Sequence, residues 1–126
     1  MENKSTFRDL IVWRKAIDLS KQVYQLTRVM PDSEKFRLTS QMRRAAISIP
    51  SNIAEGNARQ TIRDYLNFLS VARGSLAELE TQIIIADELR ILHKCTETLN
   101  QLQEVRRILQ GLIDSLRRRQ APDRQK

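Results

Sequence analysis

The fold of this chain is decided by residues 61–92, which read TIRDYLNFLSVARGSLAELETQIIIADELRIL. Apolar side chains recur there every three or four positions, a spacing that places them along one side of an α-helix. The row consists of Tyr65, Leu69, Ala72, Leu76, Leu79, Ile83 and Ala86. Thr61 is suited to cap the first turn, with Asp64 in a capping-box position. The stretch predicts one helix of about 48 Å, with Ser70 and Gly74 forming a groove for close helix approach.

Three other segments show the same helical spacing, and none alternates apolar and polar residues as a strand does. Their apolar rows are Val12, Ala16, Leu19, Val23, Leu26 and Met30; Leu38, Met42, Ala45, Ala46, Ile49 and Ile53; and Leu99, Leu102, Val105, Leu109, Leu112 and Leu116. Pro31 is expected to end the first helix and Pro50 to kink the second. Gly56 and Asn57 are suited to a left-handed cap that ends the second helix, and Thr96 begins the last.

The connections between these helices are short, about three or four residues each, and short connections make neighbouring helices antiparallel. The predicted fold class is therefore all-α, an antiparallel up-down-up-down four-helix bundle with a Pro-kinked second helix. We expect this bundle to occupy residues 1–116. The remaining residues 117–126 are expected to form a basic, disordered C-terminal tail, because Pro122 interrupts the helical pattern.

The residue types needed by enzymes and metal centres are scarce in this sequence. His93 is the single histidine and Cys95 the single cysteine, whereas a di-iron bundle needs Glu-x-x-His motifs on two helices. The sequence therefore predicts no catalytic residue, no metal site and no cofactor. No apolar run reaches the length of a membrane span, and the N-terminus lacks the apolar core of a signal peptide. We expect a cytoplasmic protein without a membrane partner.

Charged residues on the second and third helices are predicted to pair. An antiparallel turn centred near residues 58–60 brings residues level when their numbers sum to about 119. The predicted structural pairs are Glu55 with Arg59 or Arg63, and Glu78 or Glu80 with Arg43 or Arg44. Inter-helix pairs of this kind select a register more than they add stability. The alternative is that each residue is an independent surface charge.

The basic excess favours contact with a polyanion. Arginine outnumbers lysine by sixteen to six, the net charge is +7, and residues 117–126 contribute +4 of it. The candidate phosphate-binding residues are Arg43, Arg44, Arg106, Arg107, Arg117, Arg118, Arg119, Arg124 and Lys126. Aromatic stacking platforms are not expected, because Trp13, Tyr24, Tyr65 and Phe68 fall on or near apolar rows. The alternative is that arginine serves solubility and ordinary pairs one turn apart, such as Arg14 with Asp18 and Asp114 with Arg118.

A surplus of apolar residues on the first and third helices, most notably on the third, predicts self-association. Ile83–Ala86, Leu89, Ile91 and Leu92 cover more of the helix circumference than the core of one four-helix bundle uses. A large uncovered apolar strip usually marks a partner surface. We therefore expect a homo-oligomer, whose order the composition leaves open.

Four strings in the sequence match a known pattern. They are DLIVWRKA at 9–16, LTSQMRRAA at 38–46, SIPSNIAEG at 48–56 and ARGSLAELETQ at 72–82. With these strings the chain resembles the bacterial four-helix-bundle proteins encoded in intervening sequences of large-subunit ribosomal RNA genes. The match runs from Phe7 to Leu92, whereas the last helix matches only in helical character.

This resemblance implies an antiparallel bundle that assembles as a homo-oligomer, a ring of five, without enzyme activity or a cofactor. It also implies association with RNA, which is inferred from the location of the family's genes. An alternative follows from fold and charge alone, by analogy with the accessory bundles of diversity-generating retroelements. In that case the protein would be a protein-recruiting scaffold for a reverse transcriptase, with its basic surface in an auxiliary role.

Overall fold

The computed structural model describes residues 6–120, and this part of the chain is entirely helical, without a strand. The helices are α1 Ile11–Thr27, α2 Leu38–Asn57, α3 Ile62–Glu88 and α4 Thr96–Gln120, with short 3-10 turns at Phe7–Asp9 and Asp32–Glu34. The prediction of an all-α four-helix fold is confirmed.

Each helix packs against two others, so that the four enclose one core. α2 lies between α1 and α3, and α4 closes the bundle by contacting both α3 and α1. The completely buried large side chains come from all four helices and from the α3–α4 connection: Leu19, Met42, Ile49, Ile53, Leu69, Leu76, Leu79, Ile83, Leu92, Leu102, Leu109 and Leu116. These are almost all members of the apolar rows, because a helix buries one side along its length.

Contacts between helices follow the order of antiparallel neighbours. Between α2 and α3, the Ser48 and Ser75 hydroxyls lie 2.9 Å apart, and the amide of Asn57 donates to the Tyr65 hydroxyl at 3.1 Å. Residue numbers therefore fall along α2 as they rise along α3. The buried Pro50 lies inside α2, and the kink there stays a prediction.

The residue numbers of these contacts also correct the predicted register. The two residue numbers sum to 123 for the contact of Ser48 with Ser75 and to 122 for that of Asn57 with Tyr65, rather than to about 119. The register is therefore shifted by nearly one helical turn. The physical reason is that a helix presents a side chain to its neighbour only every three or four residues. The rows that can be buried together fix the register, whereas the centre of the connecting turn does not.

The ends of α3 and α4 differ from the predicted boundaries. α3 ends at Glu88 rather than Leu92, because Arg90 adopts a positive φ of 60° and the fully buried Leu92 folds back onto the core. α4 continues to Gln120, so the expectation of a disordered tail from Arg117 is wrong for residues 117–120. Cationic side chains in a last helical turn favour its continuation, since the helix dipole is negative there. The rest of the expected tail, with Arg124 and Lys126, lies outside the described residues.

The close approach of two helices occurs at Gly56 rather than at Gly74. Gly56 is buried in α2, and a Cβ added to it would lie 2.8 Å from Cβ of Phe68 and 3.0 Å from Cδ1 of Tyr65. Gly74 is exposed, and a Cβ there would meet nothing within 4 Å. No glycine in residues 6–120 has a positive φ, so the predicted left-handed cap at Gly56 is also wrong. Gly56 provides space for α3.

Candidate nucleic-acid interface

The Glu55 carboxylate pairs with Arg59, one of its two predicted partners. The Arg59 guanidinium donates to Glu55 at 3.3 Å, and its central carbon lies 4.6 Å from the ring centroid of Phe68. Both charged side chains are about half exposed, so the pair contributes little to stability. Arg63 is exposed and is not the partner of Glu55.

The predicted pairing of Glu78 or Glu80 with Arg43 or Arg44 is wrong, because Glu80 pairs with α4 instead. Arg106 donates to Glu80 at 2.7 Å, and Gln103 donates to the other carboxylate oxygen at 3.0 Å. Arg106 also donates to the Gln103 amide oxygen at 2.8 Å. These three side chains join α3 to α4. The Arg106 guanidinium is therefore engaged within the protein, which corrects its assignment as a phosphate-binding residue.

Arg43 points from α2 towards α1 rather than towards α3. Its Nε donates to the Thr27 hydroxyl at 2.9 Å and its Nη2 to the Tyr24 carbonyl at 3.4 Å. Its guanidinium carbon lies 4.5 Å from the ring centroid of Tyr24. Successive residues of a helix are rotated by about 100°, so Arg43 and its neighbour cannot face the same helix.

Arg44 is the neighbour that faces solvent. It lines a cleft of about 450 Å³ between α2 and α3, together with Ser48, Ser75 and Glu78. No carboxylate of residues 6–120 lies within ion-pair distance of its guanidinium. Its assignment as a candidate phosphate-binding residue therefore stays open.

The arginines of α4 other than Arg106 are exposed. Arg107 lies halfway along the helix, and Arg117, Arg118 and Arg119 form its last described turn. None of the four pairs with a carboxylate of the described residues. The alternative pairing of Asp114 with Arg118 is not observed, since Asp114 accepts from Gln110, whereas Arg14 does pair with Asp18 at 3.2 Å.

The last turn of α4 lies beside the first turn of α3. Arg73 donates to Gln110 at 3.1 Å, and continuing this antiparallel register brings Arg63 level with the end of α4. At this end of α3, burial raises the pKa of Tyr65, while the hydrogen bond from Asn57 and the charge of Arg119 lower it. We call Arg63, Arg117, Arg118 and Arg119, which lie at this end of the bundle, the basic cluster; the three consecutive arginines project in directions about 100° apart around α4.

A second cationic surface lies beside the α1–α2 connection. This cleft has a volume of about 460 Å³. Its lining consists of Tyr24, Lys35, Phe36, Thr39, Ser40, Arg43, Arg44 and Ile47, and we call it the aromatic–basic cleft. Phe36 is 85% exposed and Tyr24 is 38% exposed. The expectation that no aromatic side chain is available for stacking is therefore wrong.

Sequence reasoning missed Phe36, although a signal was present. Phe36 stands between Lys35 and Arg37, ahead of the apolar row of the second helix. A large apolar residue flanked by two cations and lying outside every apolar row has no core to enter. That pattern could have identified an exposed aromatic ring.

The surplus apolar residues of the third helix divide into two sets. Ile83, Ala86 and Leu92 are completely buried, so they belong to the core. Ile84, Ile85 and Leu89 are 41%, 45% and 63% exposed, and Val71 on the same helix is 52% exposed. We call these four exposed side chains the α3 apolar face; Ile85 and Leu89 lie one helical turn apart, whereas Ile84 projects about 100° away from Ile85 and Val71 lies more than three turns earlier.

The described residues hold neither a metal-binding cluster nor a membrane-spanning helix. Within residues 6–120 no three His, Cys, Asp or Glu side chains come together in a way that could hold a metal ion. His93 is exposed, and Cys95 is buried with a pKa raised mainly by that burial and further by the charge of Asp87. None of the helices in this range is both long and apolar enough to cross a bilayer.

The family comparison covers most of this bundle. The sequence model of the family described as "23S rRNA-intervening sequence protein" matches residues 8–111, which span α1, α2, α3 and more than half of α4. The chain belongs to this family. Its membership agrees with the resemblance carried by the four strings, and the match extends into α4, where those strings gave no signal.

A solved structure shows the same fold as this 23S rRNA-intervening sequence family member. It is a protein of unknown function from the S23 ribosomal protein family of Bacteroides thetaiotaomicron VPI-5482, which is 21% identical. The TM-score is 0.75, and the aligned region covers 82% of this chain and 96% of that one. A comparison with curated proteins gives no match.

Proposed function

We propose that this protein is a non-enzymatic, self-associating bundle that binds structured RNA through backbone phosphates. The observation that carries the proposal is the basic cluster, in which Arg63, Arg117, Arg118 and Arg119 are all exposed. No carboxylate of the described residues neutralises them. Family membership supports an RNA ligand, since the family is described by its link to 23S rRNA.

The chemistry of the cluster suits phosphate. A guanidinium group presents planar, paired N–H donors that match two oxygens of a phosphate, and it stays charged at every physiological pH. Contacts of this type bind the nucleic-acid backbone without reading its sequence. Because each neutralised phosphate releases counterions, binding of this kind weakens steeply as salt is added.

Self-association would strengthen such binding. Ile85 and Leu89 of the α3 apolar face are exposed one helical turn apart, and an exposed apolar surface of this kind is what a partner covers. The family resemblance supports a second copy of the same chain as that partner, in a ring of five. Several basic clusters on one assembly would then contact one RNA molecule, which raises the overall affinity without any new contact.

The test is the affinity for an RNA hairpin with a long duplex stem, measured against salt. We expect the logarithm of the association constant to fall linearly with the logarithm of salt. Combining Arg117→Gln, Arg118→Gln and Arg119→Gln should reduce the slope by up to about 0.9 for each phosphate that the variant no longer neutralises. The matched control combines Arg14→Gln, Arg90→Gln and Lys94→Gln, which removes the same charge from exposed positions elsewhere.

Two outcomes would overturn the proposal. A flat salt dependence for the unmodified protein would mean that no phosphates are neutralised. Equal losses in the two triple variants would mean that only total charge matters and that the basic cluster is not a site. An intact assembly without salt-dependent RNA binding would favour the protein-recruiting scaffold.

A further inference from the structure

The aromatic–basic cleft has a chemistry that the basic cluster lacks. It lies between α1, the α1–α2 connection and the first half of α2, and its volume of about 460 Å³ is that of a small-ligand site. Its lining combines two aromatic rings, three cationic side chains and three hydroxyl groups, without a carboxylate. Such a lining is complementary to a ligand that is both aromatic and anionic.

Phe36 is presented on an ordered segment of backbone. The 3-10 turn Asp32–Glu34 precedes it, and the amides of Glu34, Lys35 and Arg37 donate to carbonyls three residues earlier at 2.9 to 3.0 Å. The Phe36 ring is 85% exposed and its backbone is already ordered, so binding a ligand against it costs little conformational entropy. It is therefore suited to act as a flat contact surface.

The cations of the cleft differ in their freedom to bind a ligand. Arg43 is held by Thr27 and Tyr24, so it fixes one wall and orients the Tyr24 ring. Arg44 and Lys35 are exposed, and neither pairs with a carboxylate of residues 6–120. The Lys35 ammonium lies 5.5 Å from the ring centroid of Phe36, so a positive charge stands beside the exposed ring. Phe36, Ser40 and Arg44 also line the neighbouring cleft between α2 and α3, and Glu78 is the carboxylate of that second cleft.

We propose that the aromatic–basic cleft binds an unpaired nucleotide of RNA. The base stacks on the ring of Phe36, and the adjacent phosphates are bound by Arg44 and Lys35. This inference rests on the proposed function and names the part of the RNA recognised, a single-stranded segment beside the duplex that the basic cluster holds. Stacking on aromatic side chains is how proteins commonly bind unpaired bases, and it tolerates any sequence because every base has a flat face.

The cleft favours a nucleotide over an acidic peptide. Carboxylates would satisfy Arg44 and Lys35 equally well, but they would leave the ring of Phe36 uncovered. A nucleotide supplies both the flat base and the phosphate from one unit. The spacing of ring and cations within one small cleft therefore fits a ligand whose aromatic and anionic parts are adjacent.

The test compares two fluorescent probes by anisotropy, a 12-nucleotide single-stranded RNA and a 12-base-pair RNA duplex. Phe36→Ala should weaken binding of the single strand at least about fivefold, since removing the stacking surface of one base has effects of this size. It should change duplex binding less than twofold. Arg44→Gln should lower the salt slope for the single strand by about 0.7. Ile11→Ala is the matched control, because Ile11 is also an exposed large apolar residue, 67% exposed.

The outcomes separate this inference from the proposed function. If Phe36→Ala binds the single strand as the unmodified protein does, the cleft is not a stacking site, whatever the duplex shows. If an oligoglutamate of equal charge competes as well as the single strand, the cleft is an acidic-peptide site and the inference fails. If Phe36→Ala changes the assembled mass in light scattering, Phe36 belongs to a protein interface and the inference fails as well. The proposed function survives all three results, because it depends on the basic cluster.

Discussion

At the scale of single residues, Gly56 is a position where the fold leaves no room for a side chain. Its missing side chain lets α3 approach until Phe68 and Tyr65 fill the space that a Cβ would need. Gly74, eighteen positions later on the exposed side of α3, has open space around it. The two glycines therefore provide a matched pair for testing the packing.

We predict that Gly56→Ala destabilises the bundle by about 1–3 kcal/mol, because an added methyl group forces the packed rings and the Tyr65 backbone to move. Gly74→Ala should instead stabilise it by up to about 1 kcal/mol, since alanine is favoured over glycine at an unobstructed helical position. Urea unfolding followed by circular dichroism measures both. A Gly56→Ala variant that is more stable than the unmodified protein would show that α3 leaves room for a methyl group at Gly56.

The residues that sequence reasoning misplaced share one physical feature, which is that their partners lie on other helices. Arg43 and Arg44 are adjacent in sequence, but one binds α1 and the other faces solvent. Their types and spacing are compatible with either helix as a neighbour. The choice depends on the rotation of α2 about its own axis, which the whole apolar row determines.

At the scale of elements, the polar contact between α3 and α4 is the strongest candidate for an interaction that fixes their register. Arg106, Gln103 and Glu80 form a closed set of three hydrogen bonds, two of them to one carboxylate. The side chains of Glu80 and Arg106 are 28% and 31% exposed. Solvent therefore screens this pair less than it screens Arg14 and Asp18, which are 55% and 41% exposed.

A double-mutant cycle with Glu80→Ala and Arg106→Ala should give a coupling free energy of about 1 kcal/mol, after allowance for partial exposure. The same cycle on Arg14 and Asp18 should give about 0.3–0.5 kcal/mol, as is typical of exposed pairs one turn apart. Thermal or urea unfolding of the four proteins in each cycle supplies the values. Equal couplings for the two pairs would show that the contact between α3 and α4 adds nothing beyond a surface pair.

The helices themselves were predictable from sequence because each one carries a row of apolar residues at helical spacing. The start of α3 was also predictable, since the Thr61 hydroxyl accepts from the Asp64 amide as a cap does. The end of α3 was not, because Ile91 and Leu92 continue the apolar pattern after the backbone has turned at Arg90. An apolar pattern records which residues are buried, but it does not record whether the chain between them is still helical.

At the scale of the whole molecule, the basic cluster and the exposed apolar end of α3 lie at opposite ends of the bundle. The basic cluster lies where α4 ends, and the α3 apolar face includes Ile84, Ile85 and Leu89 near the other end of α3. A surface that joins copies of the chain at the end of α3 can therefore be covered while the basic cluster stays open. Sequence composition indicated both properties, but only the folded chain separates them.

We predict that the protein self-associates at micromolar concentration and that Ile85→Asp combined with Leu89→Asp returns it to the monomer mass of 14.7 kDa. Both side chains are about half exposed or more, so the charges should disrupt the contact without unfolding the chain. Light scattering measures the mass, and circular dichroism verifies the fold. Ile11→Asp combined with Val29→Asp is the matched control, since both residues are exposed and lie outside α3.

The same pair of variants tests whether assembly matters for RNA. If several basic clusters act on one RNA molecule, the monomeric variant should bind the RNA hairpin more weakly even though every arginine remains. The control variant adds the same two negative charges, so its affinity measures the effect of charge alone. A monomeric variant that binds the hairpin as tightly as this control would show that each bundle acts singly. A wild-type protein that stays monomeric at micromolar concentration would show that the α3 apolar face does not join copies of this chain.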